Sequence, residues 1–219
     1  MKEILVIGAT SAIAAACMRR WASSPSAMTL VGRDKEKLAA VRDDLVARGV
    51  IVRGIITADL ARAGSDSGFL ANLARHCPAP DRLVVAHGVL PESAEEPEAD
   101  SAIRSLEINA SGQIGLLLAL APTMASGSEI VVLGSVAGDR GRPSNYLYGA
   151  AKAAVATFCE GWQPVLARRG VHLLLVKPGF VDTPMTAGLS LPPLLVATPE
   201  RVASDIDRAL ARRRYVLYT

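Results

Sequence analysis

Aromatic side chains are scarce, 4% of 219 residues in a chain that is 50% hydrophobic. A core built from such a sequence must rely on Ala, Val, Leu and Ile, which suits helices laid on a parallel sheet. Cysteine is equally thin. Cys17, Cys77 and Cys159 stand far apart, an odd count with no pair at metal-ligand or redox spacing, which argues against a disulfide framework. His76, His87 and His172 form no ligand cluster, so no metal site is expected. No charge of one sign prevails. With 24 basic and 21 acidic residues the net charge is +3, which gives no case for nucleic acid or another polyanion. The densest basic run, Arg212 to Arg214, reads as a solvated helix end. The longest apolar stretch, around Gly115 to Met124, is too short to span a bilayer. Met1-Lys2-Glu3 leads straight into a strand pattern with no signal peptide in view, so the expected location is cytoplasmic. There is no repeat, low-complexity tract or composition break, and residues 1–219 are expected to form one domain.

What is present is alternation. Strand-length apolar runs at Ile4–Ile7, Met28–Val31, Val50–Ile56, Arg82–Ala86, Glu129–Leu133, Val171–Val176 and Tyr215–Tyr218 are separated by helical patterns. The helices are expected at about Ala12–Ala22, Asp34–Arg48, Ser67–His76, Ala99–Ala121, Asn145–Arg169 and Pro199–Arg213. Pro164 should bend or break the fifth of them, and Thr198 with Pro199 should start the last. Pro91 to Asp100, acidic and aperiodic, reads as an exposed loop. This alternation predicts an α/β fold: a doubly wound, Rossmann-like parallel sheet of about seven strands with helices on both faces. Ligands bind such sheets beyond the carboxyl ends of the strands, so the residues following each strand carry the functional reading.

After the first strand comes Gly8-Ala9-Thr10-Ser11-Ala12-Ile13-Ala14. A glycine turn opening a helix suits a pyrophosphate, because free N–H groups and the helix dipole point there. Only Gly8 is a glycine, Ala12 and Ala14 stand at the other two fingerprint places, and an ordinary strand–helix turn stays open as a reading. After the second strand, Gly32-Arg33 replaces the acidic residue that would bind a ribose 2′-hydroxyl. A guanidinium there can pair with a 2′-phosphate, which favours NADP(H) over NAD(H). Asp34 is expected to cap the next helix. Asp59-Leu60 follows the third strand, where a carboxylate could accept from an adenine amino group or simply cap a turn.

After the fifth strand, Ser135 is followed thirteen residues later by Tyr148 and four further on by Lys152. Residues i and i+4 share a helix face, so phenol and ammonium can point into one site. The ammonium is expected to lower the phenol's pKa toward neutrality. The set Gly8, Asp59, Asn109, Ser135, Tyr148-x-x-x-Lys152 and Pro178-Gly179 resembles the classical short-chain dehydrogenases/reductases over essentially the whole chain, with an atypical branch suggested by the alanines in the glycine motif.

The resemblance implies an NADP(H)-dependent oxidoreductase that interconverts a carbonyl and an alcohol by hydride transfer. It implies that Tyr148 is the general acid/base, that Ser135 binds the substrate oxygen, and that Lys152 holds the nicotinamide ribose. Asn109 would hold a water linking Lys152 to solvent. Thr10, Ser11, Ala12, Ile13, Arg33, Asp59, Leu60, Pro178, Gly179, Val181 and Thr183 join Gly8, Tyr148 and Lys152 as cofactor-binding positions. After the fourth strand Ala86-His87-Gly88 stands where the family usually has Asn-Ala-Gly. Gly88 keeps the close approach, and His87 is read as lying beside the cofactor ribose, since Tyr148 already supplies the acid. Such variants resemble reductases of sugar or lipid-linked sugar substrates. The segment from Pro184 to Val196 is apolar and nearly uncharged. It suits an apolar or lipid-linked substrate, unless its side chains only pack on the domain. A homodimer or homotetramer is implied by resemblance alone. A non-catalytic NADP(H) sensor, or the reductase half of a two-enzyme sugar epimerisation, stands as the alternative.

Overall fold

A computed structural model describes residues 1–90, 97–188 and 192–219. Seven parallel strands lie in the order β3-β2-β1-β4-β5-β6-β9. They are β1 (Lys2–Ile7), β2 (Ser26–Gly32), β3 (Ile51–Thr57), β4 (Arg82–Val85), β5 (Glu129–Leu133), β6 (His172–Lys177) and β9 (Val216–Tyr218). The helices between them are α1 (Ala12–Trp21), α2 (Lys35–Ala47), α3 (Ser67–His76), α4 (Ala99–Leu106), α5 (Gly112–Leu120), α6 (Tyr146–Arg168) and α7 (Pro199–Ala211). The doubly wound sheet expected from the alternation is therefore observed.

The strands are apolar on both faces because both are covered. In β1, Ile4 and Val6 join the core beneath α1, α2 and α7, whereas Leu5 and Ile7 join the core beneath α3, α5 and α6. β4, β5 and β6 divide in the same period of two, with Val84, Val131 and Leu174 on one side and Leu83, Ile130 and Leu173 on the other. Truncating a fully buried side chain such as Leu5 to alanine should cost about 2–5 kcal/mol. The winding reverses between β1 and β4, which opens a crevice at their carboxyl ends.

Three features depart from expectation. The helix expected over Ala99–Ala121 is interrupted by a π turn, Glu107–Ser111, between α4 and α5. Pro164 does not break α6, which runs on to Arg168. Packing of Leu166 and the Phe158–Trp162 ring pair on either side of it holds the helix through the missing hydrogen bond. A small second sheet, β7 (Phe180–Val181) with β8 (Val196–Ala197), was not foreseen. The start of α7 follows the sequence: Thr198 Oγ1 accepts from Arg201 N–H at 3.2 Å, with Pro199 just inside. Arg212 to Arg214 are exposed past its end, and Arg213 takes the left-handed φ of 49° that usually falls to glycine. Part of the loop expected at Pro91–Asp100 (residues 91–96) lies outside the described residues, as do residues 189–191 of the apolar segment. Among the described residues no helix is long and apolar enough to cross a membrane, and no group of three or more His, Cys, Asp or Glu could hold a metal.

Candidate functional site

At the crevice, Gly8 has a φ of +86° and sits directly against the end of β4. A methyl group on it would lie 2.4 Å from the His87 nitrogen and 2.7 Å from the Ala86 carbonyl carbon, so any side chain would force the two central strands apart. Ser11 caps α1, its Oγ accepting from Ala14 N–H at 3.5 Å. The N–H groups of Ala12 and Ile13 open the helix without intrahelical partners. Ala14 is buried in the core, so of the two alanines only the half-buried Ala12 can meet a ligand with its methyl group. Thr10 is exposed, whereas the Ile13 and Leu60 side chains belong to the core and leave only their backbone to the crevice.

At the end of β2, Arg33 is exposed and makes no hydrogen bond or ion pair among the described residues. Asp34 does not compete for it. Its carboxylate caps α2 by accepting from the N–H groups of Glu36 and Lys37, each at 3.0 Å. Asp59 is less free than the sequence suggests. It pairs with Arg104 of α4 and accepts from Ala61 N–H at 3.2 Å, and these contacts hold its carboxyl below the usual range.

The catalytic candidates meet where β5 and α6 face each other. Ser135 Oγ accepts from Ala137 N–H at 3.0 Å, and Ser135 lies near enough to Tyr148 to act on its phenol. One turn along α6, the buried Lys152 places Nζ 5.7 Å from the centroid of the Tyr148 ring and donates to Leu133 O at 2.8 Å. The expected depression of the phenol pKa does not occur in the chain by itself. Burial pushes Tyr148 up to about 12, opposed by the Ser135 hydrogen bond, and burial pushes Lys152 down to about 8. The spacing brought the groups together, but the ammonium stands over the ring face and both groups are desolvated, which disfavours either charge.

Asn109 lies where the long helix widens. The π turn carries it into a clamp on the segment after β4. Its Oδ1 accepts from Val89 N–H at 2.9 Å, while Nδ2 donates to Val89 O at 2.8 Å and to Ser105 Oγ at 3.2 Å. These bonds tie its side chain to the Val89 backbone and to Ser105. The clamp fixes Gly88, where a methyl group would lie 2.9 Å from Asn109 Oδ1 and 3.8 Å from Lys152 Nζ. His87 is buried, with neither ring nitrogen hydrogen-bonded among the described residues. Burial, then Lys152 and Arg33, push its pKa down to about 3. Gln113, the lone amide in an apolar helix, was overlooked in the sequence although that isolation was its signal. It is fully buried and donates to His87 O at 2.5 Å.

Beyond β6, Pro178 O accepts from Val136 N–H at 3.1 Å and Gly179 N–H donates to Thr219 O at 2.7 Å. Val181 is buried in β7, and Thr183 is tied to Thr186, whose hydroxyl donates to Val181 O at 2.6 Å. In the described part of the apolar segment Leu194 is 100% exposed, Leu195 64% and Met185 43%, and Phe180 just before the segment is 43% exposed. Cys159 is fully buried, its thiol pushed up to about 12 by burial, so it belongs to the core. A hollow of about 450 Å³ at the β9 edge is lined by Arg201, Asp205, Arg208 and Leu217 and by none of Ser135, Tyr148 or Lys152.

Comparison with known proteins agrees with this geometry. The family model described as short chain dehydrogenase matches residues 2–192. An uncharacterized oxidoreductase of Mycobacterium tuberculosis is 37% identical over 222 residues, covering 98% of this chain and 87% of that protein. A sulfoacetaldehyde reductase of Chromohalobacter salexigens is 28% identical over 188 residues, 84% of this chain and 74% of its own length. Among solved structures, a short chain dehydrogenase from Burkholderia cenocepacia in complex with NADP superposes with a TM-score of 0.85 at 25% identity, covering 99% of this chain and 95% of that one.

Proposed function

The chain belongs to the short-chain dehydrogenase family, and from that premise we propose that it is an NADP(H)-dependent oxidoreductase that reduces a carbonyl to an alcohol, or runs the reverse, with Tyr148 as general acid/base. One observation carries this reading: Ser135, Tyr148 and Lys152 come together between β5 and α6, with the Lys152 ammonium 5.7 Å from the centroid of the Tyr148 ring. A protein that only bound a dinucleotide would have no use for a pre-aligned proton donor.

The residues at the crevice fit the cofactor. Gly8 lets the β1 turn lie against β4, the first turn of α1 presents unpartnered N–H groups for a pyrophosphate, and Arg33 is a free guanidinium where a 2′-phosphate would sit. The NADP complex of the Burkholderia relative supports the same choice. When bound, the reduced nicotinamide supplies the hydride. The chain's own residues supply the proton and its control. A phenol with a pKa near 12 is fully protonated at neutral pH, ready to donate to a substrate oxygen held by Ser135. Lys152, fixed by Leu133 O, has remaining protons with which it would hold a nicotinamide ribose. In the oxidation direction a positively charged nicotinamide would add to the ammonium and pull the phenol down. The exposed Leu194, Leu195, Phe180 and Met185 favour a carbonyl substrate with an apolar portion.

The test is a panel of aldehydes and ketones graded in chain length, followed by the absorbance of NADPH and of NADH. Turnover with NADPH that is lost in Tyr148→Phe supports the reading. Full turnover in that variant refutes it.

A further inference from the structure

The turn that carries Ser135 is fixed by an ion pair outside the reaction centre. Lys177 ends β6, and its side chain is only 7% exposed. Its Nζ lies 2.7 Å from Asp139 Oδ1, 3.5 Å from Glu160 Oε1 and 3.5 Å from the Tyr218 hydroxyl. Burial works against the ammonium, but Asp139 and Tyr218 more than offset it, so the group stays charged. Asp139 closes the short turn Val136–Gly138 that follows Ser135, its N–H donating to Val136 O at 3.2 Å.

On its other side this turn rests directly on α6. A methyl group on Gly138 would lie 2.7 Å from the Lys152 carbonyl carbon and from the Ala153 nitrogen, and one on Gly149 would lie 2.8 Å from Ala137 O. No side chain cushions that contact, so a shift at Asp139 is passed on to Ser135 and to its position relative to Tyr148. Stability alone gives little reason for the pair, because well-packed apolar residues often serve a buried position equally well.

We propose that Lys177 is a positioning residue: through Asp139 it seats the Ser135 turn against α6 and locks that turn to the Pro178–Gly179 segment. This inference rests on the oxidoreductase reading, and the experiment separates the two. Kinetics at saturating NADPH are measured for the unaltered chain, Lys177→Met, Lys177→Arg, Asp139→Asn and the Lys177→Met/Asp139→Asn double variant, with thermal melting of each. Lys177→Met should lower kcat by about tenfold while the Kd for NADPH moves less than about threefold. Lys177→Arg should recover most of the rate. Asp139→Asn should lose kcat as well, although it changes the charge in the opposite sense, which a long-range field effect could not produce. The double variant should be no worse than the poorer single one, since both remove one contact.

A folded Lys177→Met variant with an unchanged kcat, or an arginine variant as impaired as the methionine one, overturns the proposal. Should Lys177→Met fail to fold, Asp139→Asn decides: a fall in kcat supports it and an unchanged kcat overturns it. An unaltered chain that turns over no carbonyl refutes the oxidoreductase reading and this inference together.

Discussion

The two halves of the sheet treat their polar side chains in opposite ways. At the ends of β1 and β2, the groups suited to a cofactor stand open: exposed Thr10, unpartnered N–H groups at the start of α1, and the free guanidinium of Arg33. At the ends of β4, β5 and β6, His87 is buried without a partner for its ring among the described residues, but the charged and amide groups that flank the catalytic candidates are already bonded. Ser135 Oγ accepts from Ala137 N–H, Lys152 donates to Leu133 O, Asn109 holds Val89, and Lys177 holds Asp139. Recognition of a mobile, charged ligand needs groups that can release water and take it up again. Proton transfer needs groups that do not reorganise during the reaction. Changes in the first half should therefore act on cofactor binding, and changes in the second on turnover.

Tyr148→Phe puts the strongest demand on that division. It should lower kcat by about 10²–10⁴-fold, with NADPH binding, measured by fluorescence titration, nearly unchanged. Arg33→Ala should do the reverse. Loss of a charge-assisted contact worth about 1.5–3 kcal/mol weakens NADPH by about 10–100-fold, while NADH is hardly affected and kcat holds. Equal losses for both cofactors would remove the 2′-phosphate argument. In the exposed apolar segment, Leu194→Ser with Leu195→Ser should lower kcat/KM for a long-chain ketone by up to about tenfold and spare a short one. Because both side chains are exposed, denaturation stability should stay within about 0.5 kcal/mol.

The mildest effect at neutral pH concerns His87. Its folded pKa of about 3 lies below the ordinary value of 6.5, so the unfolded chain binds the proton more readily. Stability should therefore fall as pH drops from about 6.5 towards 3, and His87→Gln should flatten that part of the profile in denaturation measured across pH.

The division was only half visible in the sequence. All seven strands of the large sheet were legible, because each is an apolar run next to a helix with its own period. Ser135, Tyr148 and Lys152 were legible because their spacing is local to one turn and one helix. The clamp by Asn109 was not: its partner Val89 is twenty residues away and pairs only through its backbone. The π turn that aims it leaves no mark in Glu-Ile-Asn-Ala-Ser, which reads as one more turn of the same helix. Strands β7 and β8, two residues each, are too short to show a period. The direction of the Tyr148 and Lys152 pKa shifts also escaped, since spacing reports that two groups meet and says nothing of how much water they have lost. Lys177 and Asp139, 38 residues apart, become neighbours only once β5 and β6 pair.

The widened turn at Glu107–Ser111 makes this stretch sensitive to length rather than to composition. Removing one residue there would let α4 and α5 merge into a single regular helix, with the flanks near their present phase but the residues of the bulge turned about the axis. Asn109 would then point away from Val89, and a deletion that improved local hydrogen bonding would disarm the enzyme. Substitutions in the same five residues that keep the count should be far milder, Asn109 itself excepted.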